Sequence, residues 1–304
     1  MRDLTFVVQG KIQPNTRNCL SSIRQFYPGS AIVLSTWRGE SLAELDYDIV
    51  LENEDPGGVE FANGAWNNTN RQIVSTRNGL KAVMTRFAVK MRTDTQILDN
   101  KINTLLNQQL PAELFQNKII ALNLFFRDPR KFPLLFHIGD IFQLGRTEDL
   151  LDLWTIPLIQ EQEASVRHGS RFNIFNEFKH WPFQYVPEQH IFIAYLAKHK
   201  IDASLQYCCQ MDWRKASISE ALIAKNFKLY TVEELGINIP SRLLIHTRSQ
   251  DVYEQQTLDN YSPEAVENNF KRMIRRRKRR LIRRFLLSPK DWLDLLMSFR
   301  RIGS

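Results

Sequence analysis

"LTFVVQ" (4–9) is a run of apolar and β-branched residues that stops at Gly10, a pattern that predicts a buried strand. "TRNCLSSIRQF" follows with Leu20, Ile23 and Phe26 at helical spacing and Thr16 placed to cap the helix. "PGS" breaks this segment, and "AIVLST" (31–36) and "YDIVLE" (47–52) read as two more strands. After the turn chemistry of "DPGG" (55–58) and the Gly/Asn-rich "FANGAWNNTN", a helix is expected from about Asn70. Its face is approximated by Ile73, Leu80, Val83, Met84 and Phe87. "FAVKMR" is the next strand and delivers Asp94.

Further along, "KIIALN" (118–123) reads as a buried strand. "FPLLFHIGDIFQLGRTEDLLDLW" holds a strand, a turn at Gly139 and Asp140, and a helix capped by Thr147. The aromatic-rich "FNEFKHWPFQYVPEQHIFIAYLAKH" passes into a helix with Pro187 in its first turn, and "RLLIHT" reads as a late strand ending at His246 and Thr247. Strands alternating with helices predict an α/β fold, a parallel sheet covered on both faces whose ligands bind beyond the carboxyl ends of the strands. Gln9 and Gly10, then Ser35, Thr36 and Trp37, then Asp55, then Asp94 stand at those ends. Neither G-x-G-x-x-G nor a P-loop occurs, so the edge is not a standard dinucleotide or triphosphate cradle. Lys90, Arg92 and Asp94 share one face of their strand, which leaves two readings: an ion pair, or a site for an anionic ligand.

Charge changes the picture at one place. The net charge is +8, but ten cations and no acid lie between Phe270 and Arg284, so the rest of the chain carries 8 − 10 = −2. From Pro263 to Leu287 the pattern is a basic amphipathic helix, with Phe270, Met273, Ile274, Leu281, Ile282 and Phe285 mostly on one face. Ser288 and Pro289 then open a second short helix carrying Trp292, Leu293, Leu295, Leu296, Met297 and Phe299. The bland reading is a helix that packs on the body or binds nucleic acid. Cations beside apolar groups suit an anionic membrane surface better, because both contributions add, with Arg275, Arg276, Arg279, Arg280, Phe285 and Trp292 as the contact set. No apolar run is long enough to span a bilayer, "MRDLTFVVQG" is too short for a signal peptide, and Cys19, Cys208 and Cys209 have neither disulfide nor zinc spacing. A cytoplasmic protein, peripherally attached to the inner face of a membrane, is expected.

"VVQGKI", "IVLSTWRG", "DPGG", "NRQIVSTRNGLKAV", "KMRTD", "FHIGDIFQLGRTEDL" and "PEQHI" occur in this order, and together they resemble the WavE family of lipopolysaccharide-core and surface-polysaccharide synthesis proteins. The resemblance covers roughly residues 4 to 230. It implies a GT-A-like glycosyltransferase with a Rossmann-type nucleotide-sugar domain; with the basic helix read above, the expected domains are residues 1–250 for the transferase and 251–304 for the helical appendage. It further implies a nucleotide-sugar donor, a lipid-linked or lipopolysaccharide glycan acceptor at the bacterial inner membrane, and usually a divalent metal, Mn²⁺ or Mg²⁺. Such enzymes usually carry Asp-x-Asp; here the matching stretch is Arg92-Thr93-Asp94-Thr95, with one carboxylate, and Arg92 or Lys90 can supply positive charge instead.

In this reading Asp94 holds the metal or the donor diphosphate, and His246 is a second candidate metal ligand. Glu188 is the candidate general base for the acceptor hydroxyl and Asp140 its rival, which implies inversion at the sugar; helix-terminus and turn roles are their structural alternatives. Gln9, Gly10, Thr36, Trp37 and Asp55 suit the nucleoside, and Arg71 suits phosphate or an acid at the sheet edge. The competing classes are a non-catalytic nucleic-acid binder that uses the Arg-rich segment and an inactive transferase-like domain. The near-neutral body and the lack of a known nucleic-acid module argue against specific nucleic-acid binding.

Overall fold

The fold is described from a computed structural model covering residues 3–60, 66–106, 108, 110–160, 183–248 and 251–288. The strands are β1 (Leu4–Gln9), β2 (Ala31–Trp37), β3 (Ile49–Asn53), β4 (Val59–Glu60), β5 (Trp66–Asn67), β6 (Phe87–Arg92), β7 (Gln96–Ile97), β8 (Ile119–Leu122), β9 (Phe142–Arg146), β10 (Phe227–Tyr230) and β11 (Ile237–Asn238). The helices are α1 (Thr16–Phe26), α2 (Thr69–Lys81), α3 (Ile102–Leu106), α4 (Thr147–Trp154), α5 (Pro187–Lys198), α6 (Trp213–Asn226), α7 (Val232–Leu235), α8 (Ser241–Arg248), α9 (Gln255–Asp259) and α10 (Pro263–Leu286).

Seven strands form one sheet in the order β10-β8-β9-β6-β1-β2-β3. Neighbours run parallel except β9, which is antiparallel to both β6 and β8. Register brings Gln9 opposite both Ser35 and Arg92, and Met91 opposite Phe142. The carboxyl ends of β1, β2 and β6 therefore meet the start of β9 at one edge.

Alternation along the central strands divides the core between the two faces. Leu4, Phe6 and Val8 join Val89 and Met91 against α1, whereas Val7 and Ala88 face α2, α4, α5 and α6. Lys90, which shares the phase of Ala88, is thereby directed under α4.

Local expectations hold in most of these elements and fail in four. Thr16 is the first helical residue of α1 instead of its cap: its Oγ1 accepts from the Gln13 N–H at 2.8 Å and ties the incoming loop. Thr147 likewise sits inside α4, its Oγ1 donating to the Thr85 carbonyl at 2.7 Å. The helix expected through Phe87 stops at Lys81, leaving Met84 almost fully exposed and Phe87 free to start β6. "RLLIHT" is helical: it forms most of α8, with Leu243 and Leu244 packed on the α1-side core. A short apolar run does not distinguish strand from helix by pattern alone.

The domain boundary expected at residue 250 divides a single core. Val252 bridges Arg127 across an isolated pair, and Tyr253 N–H donates to the Phe126 carbonyl at 2.8 Å. Val266, Phe270 and Ile274 of α10 lie in the same cluster as α5 and α6. Under them Arg130 joins Asp128 (2.8 Å) to Glu220 (3.0 Å), and the Tyr253 hydroxyl donates to Glu220 at 3.1 Å. Only after Ile274 does the helix leave the core: Ile282, Leu286 and Leu287 are exposed, as are Arg275, Arg276, Arg279 and Arg280, while Phe285 is half-buried. The second short helix expected from Ser288, with Trp292, lies outside the described residues.

Candidate functional site

Lys90 is the buried centre of the site. Its ammonium donates to the Asp140 carbonyl and stands 4.7 Å from the centre of the Trp154 ring. The indole N–H of Trp154 donates to Gln143 Oε1 at 2.8 Å, and Gln143 Nε2 donates to the Gly139 carbonyl at 2.9 Å. Full burial lowers the lysine pKa to about 8, a shift that the negative charge of Asp140 opposes.

The connection from β8 to β9, residues 123–141, builds the wall above it. Phe125 (φ 68°) and Phe136 (φ 54°) both adopt left-handed backbone, an uncommon and strained choice for an aromatic residue. Gly139 is dictated by close approach, since a Cβ there would lie 2.3 Å from the Leu124 carbonyl oxygen. The Phe136 N–H donates to Ser219 Oγ at 2.7 Å. This path delivers His137, whose Nδ1 bonds the Phe125 carbonyl, and buried Asp140.

From the other side, Pro187 opens α5 and sets Glu188 in its first turn. Glu188 Oε2 is 3.7 Å from His137 Nε2, with the Glu188 side chain 15% exposed. Gln189, the next residue, donates to the carbonyls of Leu135 (2.8 Å) and Cys208 (2.9 Å) and locks the helix start to the loop. Burial, reinforced by the charge of Asp140, pushes the Glu188 carboxyl up to about 8; the charges of Arg127 and Lys90 pull the other way. Burial and the Arg127 charge push His137 down to about 3, and burial alone takes His190 to about 4. The arrangement thus offers a carboxyl poised to exchange a proton near neutral pH, the property a general base needs.

Asp94 closes the site at the sheet edge. Its Oδ1 accepts from Arg92 Nε at 2.8 Å, and its Oδ2 accepts from Arg92 Nη2 (2.8 Å) and Arg242 Nη2 (2.6 Å). Burial raises the Asp94 pKa, but the Arg92 bonds and the charges of both guanidiniums outweigh it and hold the carboxyl below its ordinary value. Arg92 also feels the charges of Asp140 and Glu188, so the two halves form one electrostatic cluster.

The remaining expected residues divide by exposure. Gly10 adopts φ 112°, so glycine is required as β1 turns away. Gln9, Thr36 and Trp37 are buried at the strand ends, with Gln9 Oε1 accepting from Ser75 Oγ at 2.6 Å. Arg71 engages Asp55 through two bonds of 2.7 Å and Asn68 at 2.9 Å. Arg71 thus pairs with an acid at the sheet edge, one of the two roles expected of it. His246 lies on α8, not beyond a strand, and its side chain falls outside the described residues; it is Arg242, one turn earlier, that reaches Asp94.

A divalent cation does not fit the Asp94 corner. One carboxylate beside a diphosphate can suffice for Mg²⁺. Here, however, both oxygens are taken by guanidinium groups, and the Arg92–Asp94–Arg242 triad carries a net positive charge. Among the described residues no three His, Cys, Asp or Glu side chains converge to hold a metal.

Arg127 and Arg242 were not among the expected site residues. Arg127 is buried beside Glu188 in charge terms, and Arg242 is 148 residues from its partner, in the segment whose pattern suggested a strand. Fold and site together define an open-sheet α/β protein with a charged ligand edge. The chain belongs to the WavE lipopolysaccharide synthesis family, whose model matches residues 4–291. A comparison with curated proteins finds no match. Membership places the protein in lipopolysaccharide synthesis, and no helix among the described residues is long and apolar enough to cross a membrane.

Proposed function

We propose that this protein is a glycosyltransferase that moves a sugar from a nucleotide-sugar donor to a hydroxyl of a lipopolysaccharide-core, O-antigen or capsule glycan. The observation that carries this reading is Glu188, a carboxyl set in the first turn of α5 against His137, at the same edge as a guanidinium cluster. In a single displacement, Glu188 takes the proton of the acceptor hydroxyl as its oxygen bonds the anomeric carbon. The bond from that carbon to the diphosphate breaks with its electron pair, leaving a nucleoside diphosphate and inverting the configuration. Asp140 raises the affinity of Glu188 for the proton, while Lys90 and Arg127 temper it.

The acceptor's setting suggests peripheral attachment to the cytoplasmic face of the inner membrane. The exposed end of α10, with Arg275, Arg276, Arg279 and Arg280 beside Leu286 and Leu287, is the surface suited to anionic lipid. The test is release of nucleoside diphosphate from a panel of nucleotide sugars by the purified full chain, with and without membrane glycan extracts. Glycan-dependent release that Glu188→Gln abolishes supports the reading; no release from any donor refutes it.

A further inference from the structure

Asp94 is enclosed by cations from two distant parts of the chain. Arg92 ends the strand β6 next to β1, at the centre of the sheet's ligand edge. Arg242 arrives by a separate scaffold. β11 pairs with β7 directly after the Asp94 turn, with Asn238 opposite Gln96, and Leu98 N–H donates to the Gly236 carbonyl at 2.7 Å. Gly236, with φ 63°, permits the chain to turn there, and α8 follows.

Two features separate this triad from an ordinary surface ion pair. The carboxylate is 3% exposed, whereas Arg242 is 59% exposed and Arg92 is 30% exposed, so the negative partner is hidden and the positive ones face outward. The bonds to Asp94 use Nε and Nη2 of Arg92 and Nη2 of Arg242, which among the described residues leaves N–H groups of both forks for a ligand. A carboxylate that fixes one guanidinium plane through two bonds and tethers a second guanidinium through one, at an edge with net positive charge, is built to receive an anion with several oxygens.

We infer that Arg92 and Arg242, oriented by Asp94, hold the diphosphate of the donor directly and take the place of a divalent cation. This rests on the donor reading above, and it makes Arg242 a binding residue and Asp94 a positioning residue. As the donor's sugar–oxygen bond breaks, the charge growing on the leaving diphosphate is met by fixed N–H donors.

The experiment is calorimetric titration of the full chain with UDP, GDP, ADP, CDP and dTDP, once in EDTA and once in Mn²⁺. At least one nucleotide should bind in EDTA with an affinity within about threefold of that in Mn²⁺. Arg242→Ala should weaken that binding by roughly tenfold to a hundredfold, as expected for a lost charge-assisted contact. Arg242→Lys, which keeps the charge but not the fork, should recover part of it; thermal melts of both variants check the fold. Binding that appears only with Mn²⁺, or that Arg242→Ala leaves unchanged, overturns the inference while the transferase reading stands. Binding of no nucleotide in either buffer overturns both.

Discussion

His137 faces Glu188 as a neutral ring with its lone pair forward. The Phe125 carbonyl can only accept, so Nδ1 carries the proton and Nε2, 3.7 Å from Glu188 Oε2, carries the lone pair. A histidine held down to about pH 3 cannot supply the positive charge that would keep Glu188 ionised. Burial and the Asp140 charge therefore keep the carboxyl protonated until about pH 8.

If Glu188 is the base, kcat/KM rises with pH through a midpoint near 8 and levels off above it, since only the ionised carboxylate accepts a proton. Glu188→Gln should reduce turnover by about 10²–10⁴-fold with nucleotide affinity unchanged. A pH–rate profile and a binding titration on the same preparation check both statements. Loss of donor affinity in the variant would assign Glu188 to the donor side.

Stability should carry the same signature. Folded Glu188 keeps its proton to about 8 against an ordinary 4.5, so between these values the folded chain binds more protons and stability falls as pH rises. His137 and His190, lowered from 6.5 to about 3 and about 4, act oppositely below 6.5 and offset it there. Lys90, lowered from 10.5 to about 8, adds stability as pH climbs beyond 8. The Glu188 decline is thus exposed between about 6.5 and 8. Tm should drop across that interval and stay level in Glu188→Gln.

Lys90→Met removes the ammonium that donates to the Asp140 carbonyl and balances the buried Asp140 charge, so Tm should fall. Because the Lys90 charge lowers the Glu188 pKa, the midpoint of the activity profile should move above 8. A midpoint that does not move would separate Lys90 from the proton chemistry.

Asp94→Asn leaves two guanidiniums without their shared anion. A stability loss of about 1–3 kcal/mol is expected from the charged hydrogen bonds, measured by urea denaturation. Arg92 then loses its fixed plane and Arg242 its tether, and the KM for the donor should rise at least tenfold.

Much of this was legible in the sequence. The strands β1, β2, β6 and β8 and the position of Asp94 follow from apolar runs and from where they stop. Glu188 and Asp140 were marked by Pro187 and by the Gly139 turn, and the structure brings both into one electrostatic cluster with Lys90. Arg242 was not legible, because its role comes from the β7–β11 pairing and not from its neighbours in sequence. An acid partner for Arg71 was among the expectations, but that it is Asp55 was not, because the pair closes 16 residues apart across a loop whose path no periodicity describes.

The buried and exposed parts of α10 belong to one uninterrupted helix, with no proline or glycine between Ile274 and Leu286. At 1.5 Å per residue the exposed stretch extends about 18 Å from the core. A flexible tether would raise local concentration and leave the body free to tumble. A continuous helix rooted by Phe270 instead restricts rotation, so a surface that captures its basic end also sets the angle at which the sheet edge meets that surface. In such an arrangement, inserting a short glycine-rich hinge after Ile274 would keep the protein on the surface and scramble its orientation.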